Sequence, residues 1–125
     1  MKKGLIIALA FVMAGLLGTV YTLCAQSQTI EGELIDLRCY ISKGVVGEKH
    51  MKCAAACVKG GDPVGIVDAK GMVYTIGAQS AGFEALMAKM VRVTGTVKQN
   101  IIIPTKLEVK EGGGWKAAAL PKEMM

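Results

Sequence analysis

Apolar and polar residues alternate over several short stretches of the chain, and a period of two marks a half-buried β-strand. The segment Thr29-Ile30-Glu31-Gly32-Glu33-Leu34-Ile35-Asp36-Leu37-Arg38 alternates on either side of Gly32 and Glu33 but shifts phase near Leu34 and Ile35, which predicts a bent or bulged first strand. Pro63–Val67 and Met72–Ile76 flank Asp68-Ala69-Lys70-Gly71, where an aspartate opens a turn and a glycine supplies a positive φ, so these runs predict a hairpin. Farther on, Val91, Val93, Gly95 and Val97 alternate with Arg92, Thr94 and Thr96. After a loop expected near Asn100 and Pro104, Leu107 and Val109 stand between charged residues. These are two more half-buried strands.

Two segments follow a helical period instead. Phe83, Leu86, Met87 and Met90 fall at i, i+3, i+4 and i+7 behind Ser80, a candidate cap, and predict a short helix before the fourth strand. Glu48 to Lys59 is rich in helix formers and stops at Gly60-Gly61, which predicts a second one. Three strands, a helix and two strands in that order predict a mainly β domain over residues 28–111, a small five-stranded OB-type barrel. Residues 39–61 would then be a Cys/His-bearing helical insertion after strand 1, and residues 112–125 a loose C-terminal tail.

A run from Gly4 to Ile30 carries no charge, and it follows Lys2 and Lys3. The order of charge, apolar stretch and small residues at Cys24-Ala25-Gln26-Ser27 predicts a signal peptide over residues 1–25, cut after Ala25 or Ser27, and an exported, periplasmic protein. Leu5 to Leu23 is also nearly long enough for an uncleaved N-terminal anchor that would tether the domain to the inner membrane. A lipoprotein signal with Cys24 acylated is disfavoured by the bulk of Leu23 before it.

The net charge is +5, or +3 once Lys2 and Lys3 are set aside, too mild for a nucleic-acid surface. Beyond the leader the aromatics are Tyr40, Tyr74, Phe83 and Trp115, too sparse for a row of base-stacking platforms. There is one histidine, no GxSxG and no phosphate-cradling glycine loop, so no hydrolytic constellation is visible.

The chemistry-bearing residues gather in the insertion. On a helix, His50, Cys53 and Cys57 stand at i, i+3 and i+7 on one face, with Ala54, Ala55 and Ala56 allowing close approach of other backbone. Cys39, placed at the end of the first strand, can fold over that face. The resulting candidate metal ligands are Cys39, His50, Cys53 and Cys57. Three thiolates and an imidazole suit zinc, copper as Cu(I), or iron, and exclude calcium and magnesium. Arg38, Lys43, Lys49, Lys52 and Lys59 nearby should favour the thiolate form. Met51 is the methionine close enough to act as a further soft ligand, whereas Met72, Met87 and Met90 read as core, and Asp36 reads as a turn or cap carboxylate. Neither CxxCH nor CxxxCH occurs, so no covalent c-type haem is expected. A CxxxC pair with a histidine is chemically analogous to the dinuclear copper site of oxidase subunit II and to copper-delivering assembly proteins, with the histidine here preceding the cysteines.

The stretches Gly32-Glu33-Leu34-Ile35-Asp36-Leu37-Arg38-Cys39-Tyr40, His50-Met51-Lys52-Cys53-Ala54-Ala55-Ala56-Cys57 and Gly61-Asp62-Pro63-Val64-Gly65 resemble a family of small exported bacterial proteins of unknown function. The resemblance covers about a third of the chain and implies that the histidine and cysteines act as one unit. It brings no activity with it.

Three functional classes fit these residues. One is an exported transition-metal-binding protein, for metal handling, electron transfer or structural stabilisation, with an exported or membrane protein as a further partner. A second is a thiol-disulfide or redox-sensing protein that uses Cys53 or Cys57 as an activated thiolate beside His50, against which the absence of CxxC counts. The third is a scaffold or ligand-binding module in which Cys39, bridged to Cys53 or Cys57, staples the insertion. That pairing would leave one odd thiol.

Overall fold

The computed structural model describes residues 26–122, so the expected leader and Met124 and Met125 lie outside the described residues. Strand β1 (Ser27–Asp36) leads directly into helix α1 (Leu37–Lys43); a 3-10 turn (Glu48–His50) opens helix α2 (Met51–Lys59). Then come β2 (Val64–Val67), β3 (Val73–Ile76), a second 3-10 turn (Glu84–Leu86), β4 (Met90–Lys98), β5 (Ile101–Glu111) and β6 (Gly114–Ala118). Among the described residues no helix is long and apolar enough to cross a membrane.

The mainly β expectation holds. The strands form one antiparallel sheet in the order β3-β2-β1-β4-β5-β6, and β3 also pairs in parallel with β5 through Thr75↔Ile101 and Ile76↔Ile102. Five strands thereby close into a ring, with β6 outside it on the free edge of β5. The first strand serves both halves of the ring. Its first part pairs with β4 from Ser27↔Thr96 to Glu33↔Met90, and its last part with β2 from Glu33↔Val67 to Asp36↔Val64. The two pairings overlap at Glu33, beside the predicted bend. Gly32 makes the crossing possible, because a Cβ there would sit 2.2 Å from the Val67 carbonyl oxygen. Gly95 does the same where β4 meets β5. A Cβ would stand 2.0 Å from the Ile103 oxygen, next to a bulge that leaves Thr105 as the extra residue of β5.

The β2–β3 hairpin forms as predicted. Asp68 Oδ1 accepts hydrogen bonds from the backbone N–H of Lys70 (2.9 Å) and of Met72 (2.8 Å). Lys98 and Ile101 are joined by Gln99 and Asn100, both at positive φ (49° and 61°), a tight type I′ turn.

Four expectations are corrected. The first strand stops at Asp36, so Arg38 and Cys39 lie on α1 and not at a strand end. The helix expected behind Ser80 is a single 3-10 turn, closed off by Ala88 at a φ of 61°, and Met90 is an exposed residue of β4. Phe83 and Met87 are nonetheless fully buried, which is why a helix-like spacing shows. Pro104 is inside β5, at the bulge, not in a loop. The chain past Gly112 is built into the fold: Gly114–Ala118 pairs with β5, Leu120 packs on the core, and Pro121 lies against Gly82.

The core joins Leu34, Ile66, Val91, Val93, Ile102 and Leu107 from the strands to Phe83 and Met87 from the turn and to Ala54 and Val58 from α2. Full burial of each larger side chain contributes about 1.5–3 kcal/mol. Helix α2 is therefore held to the ring by apolar packing, which fixes the height and rotation of its cysteine face.

Candidate metal centre

Local sequence explains why the cysteines meet. Asp36 is the last residue of β1 and the N-cap of α1, its Oδ1 accepting from Arg38 N at 3.0 Å, while Leu37 N donates to the Pro63 oxygen at 3.0 Å. The cap turns the chain sharply and places Cys39 one turn into α1, buried. Gly44, at a φ of 64°, ends the helix with its N–H donating to the Tyr40 oxygen. On α2, Ala54 and Val58 face the core, and Cys53 and Cys57 one position before each occupy the adjoining stripe. Cys53 is exposed and Cys57 half-buried, and Cys39, Cys53 and Cys57 all carry free thiols.

The sulfurs of Cys39, Cys53 and Cys57 lie within 4.8 Å of one another. Zinc held tetrahedrally with bonds of ~2.3 Å keeps its sulfur donors roughly 3.8 Å apart, so the trio fits one such ion with a small inward movement. Of the four residues proposed as one ligand set, these three meet. His50 instead joins Cys39 and Asp36, whose donor atoms form a second group within the same 4.8 Å limit. A third group unites Asp36, Cys57 and Asp62. The three groups overlap in pairs, with Asp36, Cys39 and Cys57 each belonging to two of them.

The surroundings are polar on one side and closed on the other. Arg38 Nε lies 2.7 Å from Asp62 Oδ2, and its Nη2 is 3.8 Å from Cys57 Sγ, so a guanidinium borders the sulfurs on the Asp62 flank. On the inner flank, Asp36 is 2% exposed, and neither its Oδ2 nor the buried Nε2 of His50 makes a hydrogen bond among the described residues. Both residues line a void of about 10 Å³ beside Ala54 and Ala88. Buried polar atoms of native proteins nearly always find partners, so two orphaned ones side by side make this flank a candidate ligand position.

The Cys39 and Cys57 thiols are not pre-ionised. The Asp36 carboxylate beside Cys39, together with burial, pushes its thiol up to about 11. At Cys57 the Arg38 guanidinium is the largest single influence and acts downward, but burial, Asp36 and Cys53 together shift the thiol up. The expected thiolate-stabilising effect of the cations is thus outweighed. Metal-free, the Cys39 and Cys57 thiols are held toward the protonated form, and a cation entering the centre must displace their protons.

Asp36 and Asp62 as donor groups were not read from the sequence. Asp36 stands three residues before Cys39, which is one helical turn, but a strand reading through Arg38 sets the two on opposite faces and hides the pairing. For Asp62 no local signal exists, since its approach depends on how the chain returns from α2 into β2. Comparison with protein-family models, with curated proteins and with solved structures gives no match.

Proposed function

We propose that this is an exported protein that binds a transition metal through the sulfurs of Cys39, Cys53 and Cys57, with His50 adjoining them at Cys39, and handles that metal for exchange. The observation that carries the reading is the convergence of three sulfurs from two helices within 4.8 Å. Sulfur donors favour zinc, Cu(I) or iron over the hard cations. Handling is favoured over a purely structural role by two features. The ring has its own apolar core, and Cys53 is open to solvent, where an exported or membrane-bound partner can reach it. The ring closure β1-β2-β3-β5-β4 supports an OB-type barrel as the carrier. Export rests on the leader pattern, and the three matching stretches that resemble the exported family enclose Asp36, His50 and the three cysteines.

The test is metal content and free-thiol count on the protein purified without chelator, beside Cys53→Ser. Bound zinc, copper or iron with Cys39, Cys53 and Cys57 reduced, and loss of metal in the variant, is the expected result. Metal-free protein with one disulfide among the three would overturn it. That outcome belongs to the second reading, thiol-disulfide exchange, which the same sulfur proximity favours in an oxidising compartment.

A further inference from the structure

We propose that the centre takes two divalent ions rather than one, with Cys39 Sγ shared between them. The inference rests on the metal-binding reading and concerns how many ions the donor cluster holds and which residues serve each. One ion belongs to the Cys39, Cys53 and Cys57 sulfurs, and the other to Asp36, Cys39 and His50.

Three observations lead there. First, the donors do not form one four-ligand set. Two of the three triads share Cys39, and His50 goes with the carboxylate, not with the pair of sulfurs on α2. Second, an ion on the three sulfurs leaves Asp36 Oδ2 and His50 Nε2 as they are, buried without a hydrogen bond, whereas an ion on the Asp36 side gives buried donors a partner. Asp36 is 2% exposed, and although its Oδ1 caps α1, a carboxylate oxygen left without a partner at that depth is costly.

Third, the charges match. Three thiolates and one carboxylate bring four negative charges and His50 is neutral as a ligand, so two divalent ions balance the set. A single one leaves two charges over, with Arg38 alone against the sulfurs to offset them. The Asp36, Cys57 and Asp62 triad is the weaker competitor for the second ion, because the Arg38 guanidinium already occupies that flank and pairs with Asp62.

The donor types name the ion class. A mixed oxygen, sulfur and nitrogen triad is zinc-like, since a carboxylate oxygen is a poor ligand for Cu(I) and an ordinary one for zinc. Each thiol that binds gives up its proton to solvent, so loading releases protons and tightens as pH rises.

Zinc alone is the probe. The full-length protein, purified in the form the cell makes it and stripped of metal under reducing conditions, is titrated with zinc against a chromophoric chelator. Wild type is expected to bind two equivalents, and His50→Ala and Asp36→Asn one each, with far-UV spectra unchanged. Should Asp36→Asn disturb the α1 cap, His50→Ala decides, because the His50 side chain caps neither its turn nor α2. One equivalent in wild type, retained in His50→Ala, would overturn the two-ion centre and leave the single-site function standing. Two equivalents unaffected by His50→Ala would overturn the assignment of the second ion. No zinc, copper or iron bound at all would remove the metal-binding reading and the two-ion centre together.

Discussion

The strand ring and the helical insertion solve opposite problems with the same short chain. The ring closes its backbone hydrogen bonds on itself and seals a continuous apolar core. Between residues 37 and 61, by contrast, Arg38, Lys43, Lys49, Lys52 and Lys59 face a single acidic residue, Glu48, and Ile41 is 78% exposed. The insertion touches the core through few side chains, chiefly Ala54 and Val58, and spends the rest of its surface on sulfur and charge. What the contrast teaches is a division of labour: apolar packing sets the position of the cysteines, and the cysteines contribute little to the packing. Soft ligands can be left reactive when something else holds them in place.

That division fails if the ring depends on the sulfurs, and the sharpest blow falls on the ring itself. Phe83→Ala should cost about 3–5 kcal/mol in urea unfolding, the ordinary loss for a fully buried phenyl ring. Next in size is the metal. A ligand at a hundredfold excess over its Kd adds about 2.7 kcal/mol to the folded state, so chelation should lower the unfolding midpoint by a metal-dependent amount while the stripped protein still unfolds cooperatively. A stripped protein without a cooperative transition would mean that the insertion holds the ring, not the reverse. Gly95→Ala, which drives a Cβ into the Ile103 carbonyl, should cost at least about 1–3 kcal/mol by the same unfolding assay and leave metal stoichiometry untouched.

Two further measurements probe the other side. Cys53→Ser changes an exposed residue and should shift metal-free stability by less than about 0.5 kcal/mol, although it removes metal from the sulfurs. A separate effect is in pH, set by the upward shift of the Cys39 thiol. Cys39 titrates near 11 in the folded protein against an ordinary 9.0, so the folded chain keeps a proton that the unfolded chain loses. Metal-free stability should be flat below about pH 9 on this account and fall between about pH 9 and 11, and Cys39→Ser should abolish that decline.

The strands were legible because each has one wet face. Val91, Val93 and Val97 alternate with polar residues since only one side of β4 meets the core, and a turn rich in Asp and Gly announces the hairpin. The Phe83 and Met87 pair misled because two buried residues four apart look the same around one 3-10 turn as along one turn of α-helix; the positive φ of Ala88, which ends the turn, belongs to a residue that seldom adopts it. At the site, His50, Cys53 and Cys57 were visible as a unit because they share α2 and the turn that opens it. Asp36 was seen as a cap but not as a donor, since its place among the sulfurs depends on β1 ending there. Asp62 was invisible, being brought to Arg38 by tertiary return of the chain.

The two regions also differ in how far apart in sequence their partners lie. The Arg38 to Cys57 contact closes 19 residues, whereas Thr29 to Thr94, hydrogen-bonded across β1 and β4, closes 65. Loop-closure entropy favours the shorter by about 1 kcal/mol, and a chain emerging from its N-terminus presents all of α1 and α2 before β4 and β5 exist. The thiols can therefore find one another early, while the ring is still open. Whichever reaches them first in that interval, an oxidant or a metal, acts on a half-made protein, so the supply of metal during folding bears on whether a newly made chain arrives with its sulfurs free.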